Sequence, residues 1–443
     1  MTQPTAPETP ALQALRQLGG VATSAELQAR LGVSQPTVSR LLAPLLGSGL
    51  VLKVGAARSQ RYLLPRHIDG VGASVPIREL DEHGHSRPFG TLVPLAGGRF
   101  WMEEDHGTSA PHDDLPWFLY DLRPQGFLGR GFSQQHPELE LPTHIGSWNS
   151  EHILKALVHA GDDLPGNLVV GQPAFERLAA RAPHHRANTV GDPAEDYPRL
   201  AQQALGSALS GSSAGGEQPK FSAVRDGHPV LVKFSSAGDS PAEQRWRDLL
   251  LCECLALHTL SEAGVAAATT HIVQAGGRVF LESRRFDRTA QGRRGMVSLE
   301  VYDAHYIGVG TNWAATAQRV DRAGADRLST TDVRTLCLLD AYGALIANTD
   351  RHHGNISLLL KNDQWQLAPA YDMLPMLYAP INSEVPERQF APRPLPPSTH
   401  ADVWPQARIL ALRFWQAAAE DERISSGFRA LAQANHDTVQ QLG

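Results

Sequence analysis

The chain has 443 residues, with 40 Lys+Arg against 46 Asp+Glu for a net charge of −6, 42% hydrophobic and 19% charged. That mix excludes a disordered chain and leaves room for about two to four globular domains. No run approaches the ~18 uninterrupted apolar residues of a membrane helix. The start MTQPTAPETP, Pro-rich and with no basic residue, argues against a signal peptide. Three cysteines (Cys252, Cys254, Cys337) speak against a disulfide framework, so a cytoplasmic protein with no membrane partner is expected.

Charge is unevenly placed. Residues 1–66 hold seven basic and two acidic side chains, a net +5, which leaves −11 on the other 377. A basic end on an acidic body points to an anionic partner for the first segment. ALQALRQLGG sets Leu12, Leu15 and Leu18 at helical spacing before a Gly pair. Thr23 or Ser24 can cap AELQARLG, which Gly32 closes. Ser34 can cap QPTVSRLLAPLLGSG, with Pro36 at a tolerated early position and Val38, Leu41, Leu42 and Leu45 facing inward. After Gly49, LVLKVGAARSQRYLLP reads as two apolar strands about a basic tip. Three short helices and a basic wing make a winged helix-turn-helix, whose third helix enters the DNA major groove. Ser34, Gln35, Thr37, Ser39 and Arg40 then lie at the exposed start of that helix. Gln and Arg suit base edges, and Ser and Thr suit phosphates. Arg58 and Arg61 fall on the wing. The competing reading is a winged helix used for protein contact.

Residues 67 to about 180 read as mixed α/β. PFGTLVPLAGGRFWMEE alternates like a hairpin around Gly97-Gly98, and WNSEHILKALVHAG is a helix opened by Asn149 or Ser150. The polar, unpatterned stretch 181–200 reads as a linker, and 386–399 as a second break before the final helices. The boundaries expected are 1–66, 67–200, 201–290 and 291–443, with no internal repeat.

Three groups then share one chemistry. Small residues crowd SGSSAGGEQPKFSAV (210–224), where backbone N–H groups can approach an anion without hindrance. Lys233 sits inside the alternating strand HPVLVKFSS, after an Asp226-Gly227 turn. A strand Lys after a Gly-rich hairpin is how protein kinases hold ATP phosphates. The following helix carries Glu243 and Glu253, either of which could pair with it; Cys252 and Cys254 face different sides, which disfavours a metal site. In LIANTDRHHGNISLLLKNDQWQLAPAYDMLP, Asp350 and Asn355 stand five apart, a hairpin turns at Asn362-Asp363, and Asp372 follows. Phosphoryl transfer needs a carboxylate to position the hydroxyl, and an Asn and a second carboxylate to hold Mg2+. A His metal site at His352-His353 is disfavoured, because adjacent side chains diverge and no partner Cys or HExxH accompanies them.

These motifs resemble the HipA family of serine/threonine kinases, bacterial toxins of toxin–antitoxin systems. In particular they resemble YjjJ-like members that carry their own winged helix. WFLYDLRPQGFLGRGF and HAGDDLPGNLVVG resemble the family's N-terminal subdomain, SSAGGEQPK its Gly-rich loop and ESRRFDR its hinge. NTDRHHGN and APAYDMLP resemble its catalytic and metal-binding loops. The resemblance implies a protein-kinase-like α/β fold with a mixed α/β N-terminal subdomain and a largely helical C-terminal lobe. It implies Asp350 as catalytic base with His352 beside it, Lys233 on the ATP phosphates, and Asn355 and Asp372 on Mg2+. Ala214, Gly215, Gly216, Glu217, Gln218, Pro219 and Lys220 would line the phosphates. Arg284, Arg285 and Phe286 would form the hinge, and His353, Gly354 and Tyr371 would complete the nucleotide site. Ser212 or Ser213 would be the self-phosphorylated serine. Implied partners are a protein substrate such as an aminoacyl-tRNA synthetase, phosphorylated to arrest growth, a separate antitoxin, and DNA through the first 66 residues. Two rival classes are a small-molecule phosphotransferase and a transcription regulator whose kinase fold only binds nucleotide or a partner. No heptad or apolar stripe requires an oligomer.

Overall fold

Caps delimit the first helices in the computed structural model, which describes residues 8–180, 188–208, 218–322, 328–392 and 401–442. The Thr9 hydroxyl accepts from Leu12 N to open α1 (Pro10–Gln17). After β1 (Val21–Ala22), Thr23 and Glu26 cap α2 (Ser24–Leu31) reciprocally, and Gly32 ends it at φ 65°. Thr23, not Ser24, is therefore the cap. Ser34 precedes α3 (Gln35–Gly47) without a capping bond; its hydroxyl lies 3.2 Å from Thr37 Oγ1. Leu12, Leu15, Leu27, Val38, Leu42 and Leu45 form a shared core, with Leu41 packed at its edge. β2 (Leu52–Val54) and β3 (Arg61–Leu63) complete a sheet of order β1-β3-β2.

Main-chain pairing carries this unit directly into the next. Leu64 N donates to Gly20 O at 2.8 Å, Ala96 N to Leu64 O at 2.9 Å and Arg66 N to Pro94 O at 2.9 Å. Leu63, Val93, Leu95 and Trp101 are buried together at this joint. Beyond it, β4 (Val75–Leu80), β5 (Ser86–Pro94), β6 (Phe100–Glu104) and β7 (Ala110–His112) form a meander, which turns at Gly97-Gly98 as the alternation predicts. The short helices α4 (Gly126–Arg130) and α5 (Phe132–Gln135) lead to α6 (Ser150–Ala160), which Asn149 opens by accepting from Glu151 N and His152 N. β8 (Leu168–Val170) returns beside β4, and α7 (Gln172–Ala180) follows. Ile153, Leu154 and Leu157 pack against Ile77, Leu92 and Phe100.

The described part of the stretch read as a linker, 188–200, is mostly regular structure. Among its described residues, β9 (Thr189–Val190) and the start of α8 (Pro193–Ala208) join the next sheet, where Tyr197, Leu200 and Ala201 are buried. Pro198 and the surrounding charges disguise the helical spacing of those three. β10 (Lys220–Arg225), β11 (His228–Phe234), α9 (Pro241–Glu262), β12 (Thr270–Ala275) and β13 (Arg278–Arg284) complete the unit, in the order β12-β13-β11-β10-β9. Asp226 and Gly227 take left-handed φ at the β10–β11 turn. The remainder comprises β14 (Gly295–Ser298), α10 (Leu299–Tyr302), α11 (Trp313–Arg322), α12 (Thr330–Leu345), β15 (Ser357–Lys361), β16 (Gln364–Leu367), α13 (Trp404–Glu420) and α14 (Ser426–Gln441). Left-handed Asn362 and Asp363 make the β15–β16 turn. The largest core joins α9 to this lobe, with Leu249, Leu257, Trp313, Tyr342, Phe414, Trp415 and Phe428 inside it. Among the described residues, no helix is long and apolar enough to cross a membrane.

The joint at Gly20 gives a direct test. Gly20 has φ 80°, and a Cβ there would lie 2.4 Å from Ala96 O, whereas Gly32 at φ 65° faces open space. Gly20→Ala is expected to destabilise the full chain by at least ~2 kcal/mol and Gly32→Ala by only about 1 kcal/mol. Urea unfolding midpoints check it; equal shifts for the two would show the joint to be loose.

Candidate active site

Lys233 stands on β11 opposite Lys220 of β10 and Leu281 of β13, and only 8% of it is exposed. An ammonium removed from water needs carboxylates to neutralise it. Glu253 of α9 sets Oε1 and Oε2 at 2.7 and 2.8 Å from Nζ, and Asp372 Oδ1 contacts the same nitrogen. Desolvation pulls the ammonium pKa down, but the charges of Asp372 and Glu253 outweigh it, so the value stands above the ordinary one. Burial raises the Glu253 carboxyl, with Lys233 opposing. Burial acts on Asp372 in the same sense, yet the Lys233 and Lys220 charges overcome it and hold that carboxyl low. Of the two candidate glutamates, Glu253 is thus the partner. Glu243 instead closes the capping box of α9, accepting from Ser240 N at 3.0 Å and Ser240 Oγ at 2.7 Å.

The loop after α12 supplies the other groups. Its organiser is Asn348, which sequence reasoning missed. The side chain is 1% exposed; Oδ1 accepts from Asp350 N at 2.9 Å, and Nδ2 donates to Asp372 O at 3.2 Å. One amide therefore fixes the backbone at both acids, with Asp372 held at φ 53°. The available signal was an Asn two residues before Asp350, the spacing of an Asx turn. Further ties immobilise the loop. Arg351 Nε lies 3.0 Å from Asp340 Oδ1, Trp313 Nε1 donates to His352 O at 2.9 Å, and the Tyr371 hydroxyl donates to Gly354 O at 3.0 Å. Asp350 itself is 51% exposed, with Oδ2 3.3 Å from Asn355 Nδ2 and Oδ1 3.8 Å from His352 Nε2. A half-open carboxylate on a fixed backbone can accept a proton from an arriving hydroxyl.

A metal ion suits the donors here. Asn355 Nδ2 is engaged by Asp350 O at 2.8 Å, which leaves its Oδ1 without a hydrogen bond among the described residues, and Asp372 adds a carboxylate. Amide and carboxylate oxygens are the hard donors that Mg2+ takes alongside phosphate oxygens. Among the described residues, no cluster of three or more His, Cys, Asp or Glu could hold a metal.

Other expected site residues are disposed differently. His353 is buried with Nε2 2.8 Å from Thr316 Oγ1, a tie of the loop to α11. Arg285 reaches Asp287 Oδ2 at 2.8 Å and Asp163 Oδ1 at 3.3 Å, tying the segment after β13 to the unit before it. The amides of Arg284 and Arg285 are engaged by Thr269 O and Pro229 O, and Arg284 Nη2 lies 3.0 Å from His228 Nδ1. Phe286 packs 5.7 Å from the Tyr371 ring, next to Asp372. Gln218 Nε2 donates to Phe234 O, and Pro219 O accepts from Phe234 N at 3.0 Å. Ser212, Ser213, Ala214, Gly215, Gly216 and Glu217 lie outside the described residues.

Known proteins match at both levels. Family models described as the YjjJ-like toxin middle domain and the HipA-like C-terminal domain match residues 71–179 and 212–435. Toxin YjjJ of Escherichia coli (strain K12) is 34% identical over 433 residues, covering 96% of each chain. Among solved structures, HipA of Shewanella oneidensis MR-1, in a complex with HipB and its operator DNA, superposes with a TM-score of 0.55 at 15% identity. That match spans 82% of this chain and 96% of that one. The Helicobacter pylori proinflammatory kinase CtkA covers 52% of this chain and 90% of its own, at 13% identity and a TM-score of 0.38, too low to argue a shared fold. On the sequence match and the fold together, the chain belongs to the YjjJ-like toxins of the HipA family.

Proposed function

We propose that this chain is an ATP- and Mg2+-dependent serine/threonine protein kinase with a DNA-binding winged helix-turn-helix in residues 1–66. The observation that carries the kinase reading is the meeting of three distant segments: Lys233 joined to Glu253 and Asp372, with Asp350 and Asn355 set on the backbone that Asn348 shares with Asp372. Lys233 would touch the ATP phosphates, and Asp372 and Asn355 would hold Mg2+, which would neutralise charge on the phosphoryl group being transferred. Asp350 orients the substrate hydroxyl and accepts its proton, while His352 stands beside it. Gln218, Pro219 and Lys220 lead from the Gly-rich loop onto the sheet that presents Lys233. Resemblance to the HipA family supports self-phosphorylation at Ser212 or Ser213 and a translation component, such as an aminoacyl-tRNA synthetase, as substrate. The complex of the Shewanella HipA with HipB and operator DNA supports an antitoxin partner for this chain as well.

Incubation with Mg2+ and radiolabelled ATP tests the catalytic reading. Asp350→Ala is expected to lower phosphoryl transfer by ~10²-fold or more with the fold retained. Undiminished transfer would sink the assignment of Asp350.

The DNA reading rests on exposure and charge. Ser34, Gln35, Ser39 and Arg40 line the open face of α3, Thr37 is half-buried beside them, and Arg58 is exposed between the wing strands. Arg61 Nη1 donates to Arg58 O at 3.2 Å, so the two arginines share one tip. Arg40→Ala is expected to weaken binding to a mixed-sequence duplex about tenfold at low salt. Arg58→Ala should instead flatten the salt dependence by about one phosphate contact. Titration by fluorescence anisotropy reads both, and indifference to both substitutions assigns the module to protein contact.

A further inference from the structure

Lys233 works as a phosphate ligand only while Glu253 and Asp372 stay in place, and these come from α9 and from the segment after β16. In kinases the helix carrying that glutamate is the element whose position controls activity. Here both elements are gripped by a third. Asp248, five residues before Glu253 and buried, accepts from Ser425 N at 2.9 Å and from Ser425 Oγ at 2.6 Å. Ser425 is the N-cap of α14, its hydroxyl accepting from Phe428 N. Further along α14, past its midpoint, buried Asn435 sets Nδ2 2.8 Å from the hydroxyl of Tyr378, six residues after Asp372. Arg245 of α9 closes the circuit by donating to Tyr378 O at 3.1 Å. Phe428 fills the middle, with the Arg245 guanidinium 5.1 Å above its ring and the Tyr378 ring edge-on at 5.8 Å.

We propose that this ring, Asp248–Ser425–Asn435–Tyr378–Arg245, is a positioning device of the active site, by which α14 holds Glu253 and Asp372 on Lys233. The inference rests on the kinase reading above. None of the five side chains touches Lys233, so each acts through another group. The buried carboxylate of Asp248 has its acceptors met by Ser425 and by Gln244 Nε2 at 3.1 Å. Removing the Ser425 hydroxyl leaves the buried Asp248 Oδ2 short of a donor, which the helix relieves by shifting. A shift of α9 moves Glu253 with it. α9 is therefore a fixed strut here, and the last helix of the chain belongs to the catalytic assembly although it lies outside the cleft.

The test uses the full-length chain with Ser425→Ala, Tyr378→Phe and the conservative Ser425→Thr, each checked for fold by circular dichroism. The first readout is labelling of Lys233 by an amine-reactive ester, quantified by mass spectrometry. It is expected to rise about tenfold in Ser425→Ala and Tyr378→Phe as the pairing loosens, and to stay at the wild-type level in Ser425→Thr. The second is kcat. It should fall about tenfold or more in the same two variants, with no further loss when either is added to Glu253→Gln. Wild-type protection of Lys233 in the folded variants overturns the proposal, as do kcat losses that add in full to that of Glu253→Gln. If Ser425→Ala fails to fold, Tyr378→Phe keeps the aromatic packing on Phe428 and carries the comparison. A wild-type chain that transfers no phosphate counts against the kinase reading alone, and the labelling then decides the ring by itself.

Discussion

One lysine ammonium, drawn out of water onto the middle strand of a sheet, constrains the second half of the chain. Left alone it would cost several kcal/mol, so its partners must be present wherever the fold exists. Glu253 lies 20 residues on, in a helix, and Asp372 lies 139 residues on, after a hairpin. Sheet, helix and helical lobe therefore meet on a single nitrogen atom. The two carboxylates share that ammonium, and the charge of Lys220 on the neighbouring strand reaches both of them as well.

What was legible in the sequence was local. Thr23 with Glu26, and Gly32, delimit α2 because caps and left-handed stops act within a few residues. The turns at Gly97-Gly98, Asp226-Gly227 and Asn362-Asp363 fell where their residue types require. Asp350, Asn355 and Asp372 were visible as spacing. Some ambiguity was avoidable: Ser240-x-x-Glu243 is a capping-box signature that assigns Glu243 to the helix start and leaves Glu253 for Lys233. The strand and helix after residue 188 were hidden by Pro198 and by charge, since polar composition masked three apolar positions at helical spacing. Contacts across long separations had no local signature. Nothing near Asp248 announces a serine 177 residues later, and nothing near Tyr378 announces Asn435.

The segment after β13, which the resemblance implies as the hinge, is held by side chains of the protein itself. Arg285 and Arg288 converge on Asp287 and Asp163, so these four charges are paired within the protein. Asp163 belongs to the unit that contains β4 to β8, and Asp121 of the same unit accepts from the N and Oγ of Ser298 at the head of α10. Trp117 stacks on His305 at 4.4 Å a few residues further along. The middle unit thus grips that segment and the start of the helical lobe at once, and sets the angle between the two lobes. Its sheet is a bracket for the cleft as much as a domain in its own right.

The main-chain bonds of Ala96 to Leu64 and of Arg66 to Pro94, over the buried Leu63, Val93, Leu95 and Trp101, join the first 66 residues to the body. On the proposed DNA reading, a duplex lying along α3 would carry the candidate active site at one bearing about its own axis, like a vane fixed to a shaft. Moving the contacted bases by about 5 base pairs, half a turn of B-DNA, would swing the cleft to the opposite side of the duplex. Two chains on neighbouring sites would then face each other, or face away, according to helical phase rather than distance.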